Sequence, residues 1–167
     1  MRIRGIPVLA LLLVGAHAFA AADEAAGAGL ISWDESKLSA PTHTVVTERN
    51  VRVPMRDGTL LSADIYRPDA PGTFPALLLR SPYSNNTPDE IENSIWFAKR
   101  GYVVVNQDVR GRYDSGGEFH AFSHEADDGY DTDEWIARQP WSNGRIGTMG
   151  GSYLGYTQLS QGTLRNE

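Results

Sequence analysis

The chain has 167 residues, 41% of them hydrophobic and 22% charged, with a formal net charge of −6 and no cysteine. Its size suits one globular domain, and its acidic balance argues against nucleic-acid binding, which rests on Lys and Arg neutralising phosphates. Without cysteine the fold is held by packing, not by disulfides, and no repeat or low-complexity run is present.

Residues 1–22 read as a secretory signal peptide. Arg2 and Arg4 form a positive n-region, Ile6 to Val14 an apolar h-region, and Ala18-Phe19-Ala20 or Ala20-Ala21-Ala22 a small-residue cleavage site. The apolar run is too short to span a bilayer, which takes about 20 residues. Cleavage predicts a secreted or periplasmic protein with no membrane attachment, and the loss of two arginines takes its formal charge to −8. Residues 23–42, rich in Ala, Gly and Ser and ending near Pro41, read as a flexible lead-in. The catalytic portion then spans 43–167.

Thr44 to Val53 alternates as a half-buried strand does, with Val45, Thr47, Val51 and Val53 on one face and Glu48, Asn50 and Arg52 on the other. Asp57-Gly58 signals a tight hairpin. The returning strand, Thr59 to Tyr66, sets Leu61, Ala63 and Ile65 against Ser62 and Asp64. Two continuous apolar runs follow, Ala76-Leu77-Leu78-Leu79 and Tyr102-Val103-Val104-Val105, as expected of strands covered on both faces.

Between these runs lies a helix with clear ends. Thr87-Pro88-Asp89-Glu90 makes a capping box with proline at N1, Lys99-Arg100 the basic last turn and Gly101 the C′ glycine. Ile91, Ile95 and Ala98 form its buried stripe. A second helix is predicted from near Asp128 to Gln139, with acids at its start complementing the macrodipole and Pro140 stopping it. The acids lack the spacing of an EF-hand loop. Arg145 to Met149 is a last short strand. The order of hairpin, β, α, β, α, β predicts an α/β fold: an antiparallel start leading into a mostly parallel sheet.

That last strand runs into Gly150-Gly151-Ser152-Tyr153-Leu154-Gly155, which reads as a nucleophile elbow, with the two glycines supplying the smallness a cramped strand-to-helix turn needs. The generic G-x-S-x-G pattern fails, because Leu154 stands where its second glycine belongs. On residues alone, Ser152 reads equally as a nucleophile or as the N-cap of the next helix. A nucleophilic serine needs a base, an orienting carboxylate and oxyanion donors. The donors are the Tyr153 backbone N–H and a group from the loop Arg80-Ser81-Pro82-Tyr83, where the Tyr83 hydroxyl is the candidate.

Several ordered motifs, Arg80-Ser81-Pro82-Tyr83, Gln107-Asp108-Val109-Arg110-Gly111-Arg112, Ser115-Gly116-Gly117-Glu118-Phe119, Asp128-Gly129-Tyr130-Asp131, Gln139-Pro140-Trp141-Ser142-Asn143-Gly144 and the elbow, resemble the X-Pro dipeptidyl-peptidase/cocaine esterase family of serine hydrolases. That family also takes in α-amino-acid ester hydrolases and glutaryl acylases, and its elbow, G-x-S-Y-x-G, matches here. The resemblance implies the N-terminal part of an α/β-hydrolase fold, a Ser-Asp-His triad with Ser152 as nucleophile, the Tyr83 hydroxyl in the oxyanion hole, and an ester or amide as small-molecule substrate with no cofactor and no metal. It further implies a helical cap and a jelly roll beyond the elbow.

In this fold the triad runs in the order Ser, Asp, His. His17, His43, His120 and His124 all precede Ser152, so the triad Asp and His are expected outside this chain. His120 and His124, four apart, lack the glutamate of a metalloprotease motif and read as surface histidines. Arg110, Arg112 and Asp114 read as a glycine-rich loop tied down by ion pairs.

Two further readings stand against the hydrolase. Gly147, Gly150, Gly151 and Gly155 at a helix start suggest a phosphate cradle, but match neither the dinucleotide fingerprint nor the P-loop. Alternatively, the chain is an inactive fragment whose sheet stops at the elbow strand, leaving an uncovered edge and exposed apolar surface.

Overall fold

The computed structural model describes residues 37–163. Chain contacts divide it into Met1–Leu38 and Ser39–Glu167, and the fold is that of the second unit. The predicted signal peptide and residues 23–36 of the lead-in lie outside the described residues. Residues 39–42 of the lead-in are tied down: Thr42 N–H donates to Lys99 O (2.8 Å) and Arg100 Nε to Ser39 O (2.9 Å).

Five strands, β1 (Val45–Pro54), β2 (Leu60–Pro68), β3 (Phe74–Ser81), β4 (Val103–Asp108) and β5 (Ser142–Thr148), form one sheet in the order β1-β2-β4-β3-β5. Pairing is antiparallel between β1 and β2 and between β2 and β4, and parallel from β4 through β3 to β5. The sheet is therefore mixed, its parallel half carrying the elbow strand at one edge. Helix α1 (Pro88–Ala98) joins β3 to β4, α2 (Glu125–Ala137) joins β4 to β5, and α3 (Tyr153–Gln161) follows β5. None of the described helices is long and apolar enough to cross a membrane.

The period-2 geometry of each strand splits the core in two. On one face Val53, Leu61, Ala63, Ile65, Ala76, Leu78, Val103 and Val105 pack with Ile136 of α2. On the other, Tyr66, Leu79 and Val104 pack with Ala98, Ile91 and Ile95 of α1. The predicted α1 stripe is the observed one, and Thr87 caps this helix, accepting from Glu90 N–H at 3.3 Å. The helix ends at Ala98, so Lys99 and Arg100 lie just beyond its last turn rather than in it.

The alternation predicted for β1 does not hold through its middle. A bulge between Glu48 and Val51 sets Arg49 and Asn50 opposite the single residue Asp64, with Asn50 at φ 53°. The extra residue reverses the facing: Val45 joins the α1 layer while Val51 and Val53 join the α2 layer. Asp64 holds the bulge, accepting from Asn50 N–H (2.8 Å) and Arg49 Nη1 (2.5 Å).

Helix α2 begins at Glu125, three residues before the predicted start, and its acids do more than complement the macrodipole. Glu125 and Asp128 are buried at 4% and 1% exposure, and both face Arg80 near the end of β3. The cleft at the other end of the parallel strands, about 250 Å³ between Arg67, Pro68, Pro71, Phe74, Pro140 and Trp141, is remote from the elbow and brings no reactive group with it.

Candidate active site

Ser152 sits between β5 and α3 at φ 57° and ψ −123°, a conformation that costs a non-glycine residue of order 1–3 kcal/mol and persists only where its surroundings enforce it. Ser152 is exposed, and its side chain makes no capping bond to α3. Ser152 thus occupies the N-cap position, its carbonyl accepting from Tyr156 N–H at 3.1 Å, but its side chain does no capping. The residue stands at the C-terminal end of the parallel strands, where α/β sheets place their ligands.

Three contacts enforce the turn. Gly150 lies at φ 126°, and a Cβ there would fall 2.5 Å from the Leu154 Cβ, so only glycine fits. Gly151 meets no such limit, because nothing lies within 4 Å of a Cβ built on it, and the smallness expected of both glycines is required only of the first. Gln158 then staples the turn: its Nε2 donates to Gly150 O (2.7 Å), and its Oε1 accepts from the Thr148 hydroxyl (3.1 Å). Sequence reasoning passed over Gln158, one exposed-looking amide in a short helix.

Tyr153 begins α3, so its backbone N–H has no carbonyl one turn earlier to bond and stays free to donate at the helix N-terminus. Its side chain turns inward. The ring is 8% exposed, stacks on Phe122 at 4.8 Å and meets the Tyr83 ring edge-on at 6.4 Å. Tyr83 itself is 56% exposed, its backbone N–H bonded to the Ser81 hydroxyl at 3.0 Å. The three predicted site residues, Ser152, Tyr83 and Tyr153, are thus gathered at one end of the sheet.

Beneath them lies an ionic network. Arg80, 1% exposed, is a strand residue and not part of the Tyr83 loop as its motif suggested. It donates from Nε to Gln107 Oε1 (2.9 Å) and from Nη1 to Glu125 O (2.7 Å), and its Nη2 lies 3.0 Å from Glu125 Oε2. Burial pulls its pKa down while Glu125 and Asp128 oppose that; arginine remains charged throughout the ordinary range. Arg110 pairs with Asp128 in fork geometry (2.6 and 3.0 Å) and with Asp57 (2.6 Å), holding the Asp57 carboxyl well below the usual range. Of the three loop residues expected to be tied down by ion pairs, only Arg110 forms them among the described residues; Arg112 Nε donates to Pro82 O (2.9 Å), and the Asp114 carbonyl accepts from Arg52.

Burial pushes the Asp108 carboxyl, at the end of β4, up to about 6. The backbone N–H groups of Asp114 and Asn85 pull the other way, although neither makes a hydrogen bond of ordinary geometry to it.

No histidine among the described residues bonds Ser152. His43 packs on Phe74 at the opposite end of β3 (5.8 Å), His120 pairs with Glu118 (3.5 Å), and His124 precedes the first turn of α2. His120 and His124 share no helix face, so the metal pattern has no basis in the backbone.

Residues 57–166 match the family model of the X-Pro dipeptidyl-peptidase (S15 family). A cocaine esterase of Rhodococcus sp. (strain MB1 Bresler) is 46% identical over 65% of this chain. Among solved structures, a CocE/NonD family hydrolase from Staphylococcus aureus superposes with a TM-score of 0.63 at 33% identity, over 70% of this chain and 24% of its own. An α-amino acid ester hydrolase does so at 0.61 and 27%, over 80% and 26%. The chain spans 20% of the curated relatives it matches. An α/β fold whose parallel strands end on a strained serine, with the matched model running through that turn, places this chain in the X-Pro dipeptidyl-peptidase (S15) family of hydrolases.

Proposed function

We propose that this chain carries the nucleophile and oxyanion donors of a serine hydrolase acting on an ester or amide through an acyl-enzyme. Ser152 Oγ attacks the carbonyl carbon and gives up its proton to a histidine base, which passes it to the leaving alcohol or amine. The Tyr153 N–H and the Tyr83 hydroxyl stabilise the oxyanion, and water then releases the acid and restores the serine. We assign the base and its orienting carboxylate to the part of the family's length that this chain, spanning 20% of its curated relatives, does not cover. The observation that carries this reading is the backbone of Ser152, φ 57° and ψ −123°, on an exposed turn with no capping bond.

Acyl and aminoacyl compounds are the favoured substrates, by likeness to the named relatives. In the full-length protein, a fluorophosphonate labels Ser152 covalently and Ser152→Ala abolishes labelling and ester turnover together. Labelling unchanged in the mutant refutes the reading.

The fragment reading has its own support: β5 is a sheet edge, and Leu159 on α3 is 75% exposed. The isolated 167-residue chain is accordingly expected to hydrolyse activated esters no faster than background. Turnover that Ser152→Ala removes from that same chain would exclude it. Export through residues 1–22 is part of the proposal, and N-terminal sequencing of the mature protein tests it.

A further inference from the structure

The nucleophile turn is strained at one residue and gripped at the next by a group 28 positions earlier in the chain. The Tyr153 hydroxyl donates to Glu125 Oε1 at 2.7 Å and accepts from Phe122 N–H at 3.1 Å. The other oxygen of Glu125 faces Arg80 Nη2 at 3.0 Å, and Arg80 Nη1 holds the Glu125 carbonyl at 2.7 Å. Arg80 is fixed in turn by Gln107, whose Nε2 donates to the Thr132 hydroxyl (3.0 Å), and it lies 3.9 Å from Asp128, which Arg110 clamps. Four alternating charges, Arg110, Asp128, Arg80 and Glu125, therefore end on one neutral hydroxyl.

Such a ladder is poorly explained by stability alone. A buried ion pair contributes little net stability compared with well-packed apolar side chains of the same volume. Its use lies in direction: a charged acceptor makes a shorter, stronger and more oriented hydrogen bond than a neutral one. Burial pushes the Tyr153 phenol up to about 12, so it donates at every ordinary pH. Its ring is clasped by Phe122 and Tyr83, apolar contacts that lack the direction of a hydrogen bond. The Glu125 carboxylate, with the Phe122 N–H, supplies that direction at the hydroxyl.

Resting on the reading of Ser152 given above, we propose that Glu125 is a positioning residue. Through the Tyr153 hydroxyl, and backed by Arg80, it aims the Tyr153 backbone N–H at the oxyanion. Misdirecting an oxyanion donor lowers turnover without weakening ground-state binding.

The test uses the full-length enzyme, with Ser152 titrated by a fluorophosphonate so that rates are counted per competent site. Tyr153→Phe removes only the hydroxyl and leaves the Arg80–Glu125 pair in place. It is expected to lower kcat per site by about 10-fold or more, with KM within roughly threefold. Affinity for a small alkylboronic acid, whose tetrahedral adduct mimics the oxyanion, is expected to fall in step with kcat/KM. Glu125→Gln should follow the same pattern, and where it folds poorly Tyr153→Phe alone decides. A per-site kcat within about twofold of wild type in Tyr153→Phe overturns the proposal, as does a loss confined to the titrated fraction. If Ser152→Ala itself retains turnover, the nucleophile reading fails first and the positioning role falls with it.

Discussion

Gly150 and Leu154 approach so closely that a methyl group on the glycine would lie 2.5 Å from the Leu154 Cβ. This contact ties the entrance of the elbow to the first turn of α3. Gly150→Ala meets both that clash and a φ of 126°, which side chains rarely adopt. The turn must open or α3 must shift. The expected cost is about 1–3 kcal/mol of stability, with Ser152 no longer labelled by a fluorophosphonate at conditions where the protein stays folded. Gly151→Ala, with open space around its Cβ, serves as the contrasting control. Equal labelling in both variants would show that the close contact does not govern the turn.

Arg80→Met should destabilise the fold far more than removing any surface arginine. It leaves the Glu125 carboxylate buried without its cation, Asp128 keeping Arg110, and breaking a buried pair on one side costs about 3–5 kcal/mol. Arg138→Ala deletes an exposed i,i+4 pair with Glu134 and should change stability by about 0.5 kcal/mol or less. Urea unfolding of the two variants in parallel measures the difference, and similar midpoints would contradict the buried network.

Asp108→Asn is expected to stabilise the protein near neutral pH and not in acid. Burial raises the folded-state pKa of Asp108 from 3.8 to about 6, so the native state holds its proton more tightly than the unfolded chain does. The stability tied to that proton is fully present below pH 4 and is lost as pH rises through 6. The variant carries no such loss, so its Tm should exceed that of wild type by more at pH 8 than at pH 4. A difference of the opposite sign would mean that the ionised carboxylate is stabilised where it stands.

Gly129→Ala probes the packing of α2 on α3. A Cβ there would lie 2.7 Å from the Gln161 Cβ and 3.2 Å from Arg80 Nη1, so the two helices must separate. Overpacking of this kind costs about 1–3 kcal/mol. A melting temperature within a degree of wild type would show that α3 yields without penalty.

Much of the fold was legible because its signals are local. Asp57-Gly58, the Thr87 to Glu90 box and the strained serine each act through neighbours within a few residues. The misses depend on distant partners. Arg80 looks like a solvated loop cation until α2, 45 residues on, brings the Glu125 carbonyl to it. The early start of α2 follows from the same contact, since Glu125 is ordered by Arg80 and Tyr153 rather than by a capping side chain. The bulge at Asn50 escaped because a single inserted residue leaves the apolar pattern of β1 intact while reversing which layer it serves. The candidate site was legible as a serine and two tyrosines, whereas Gln158, Glu125 and Arg80 were not, having no motif of their own.

That bulge has a consequence for how the molecule comes apart. Because β1 sends Val45 into one layer and Val51 and Val53 into the other, neither layer can lose its share of the strand without disturbing the other. Amide protons beneath α1 and beneath α2 should therefore exchange with solvent as one cooperative unit, and the two sides of the sheet should open together.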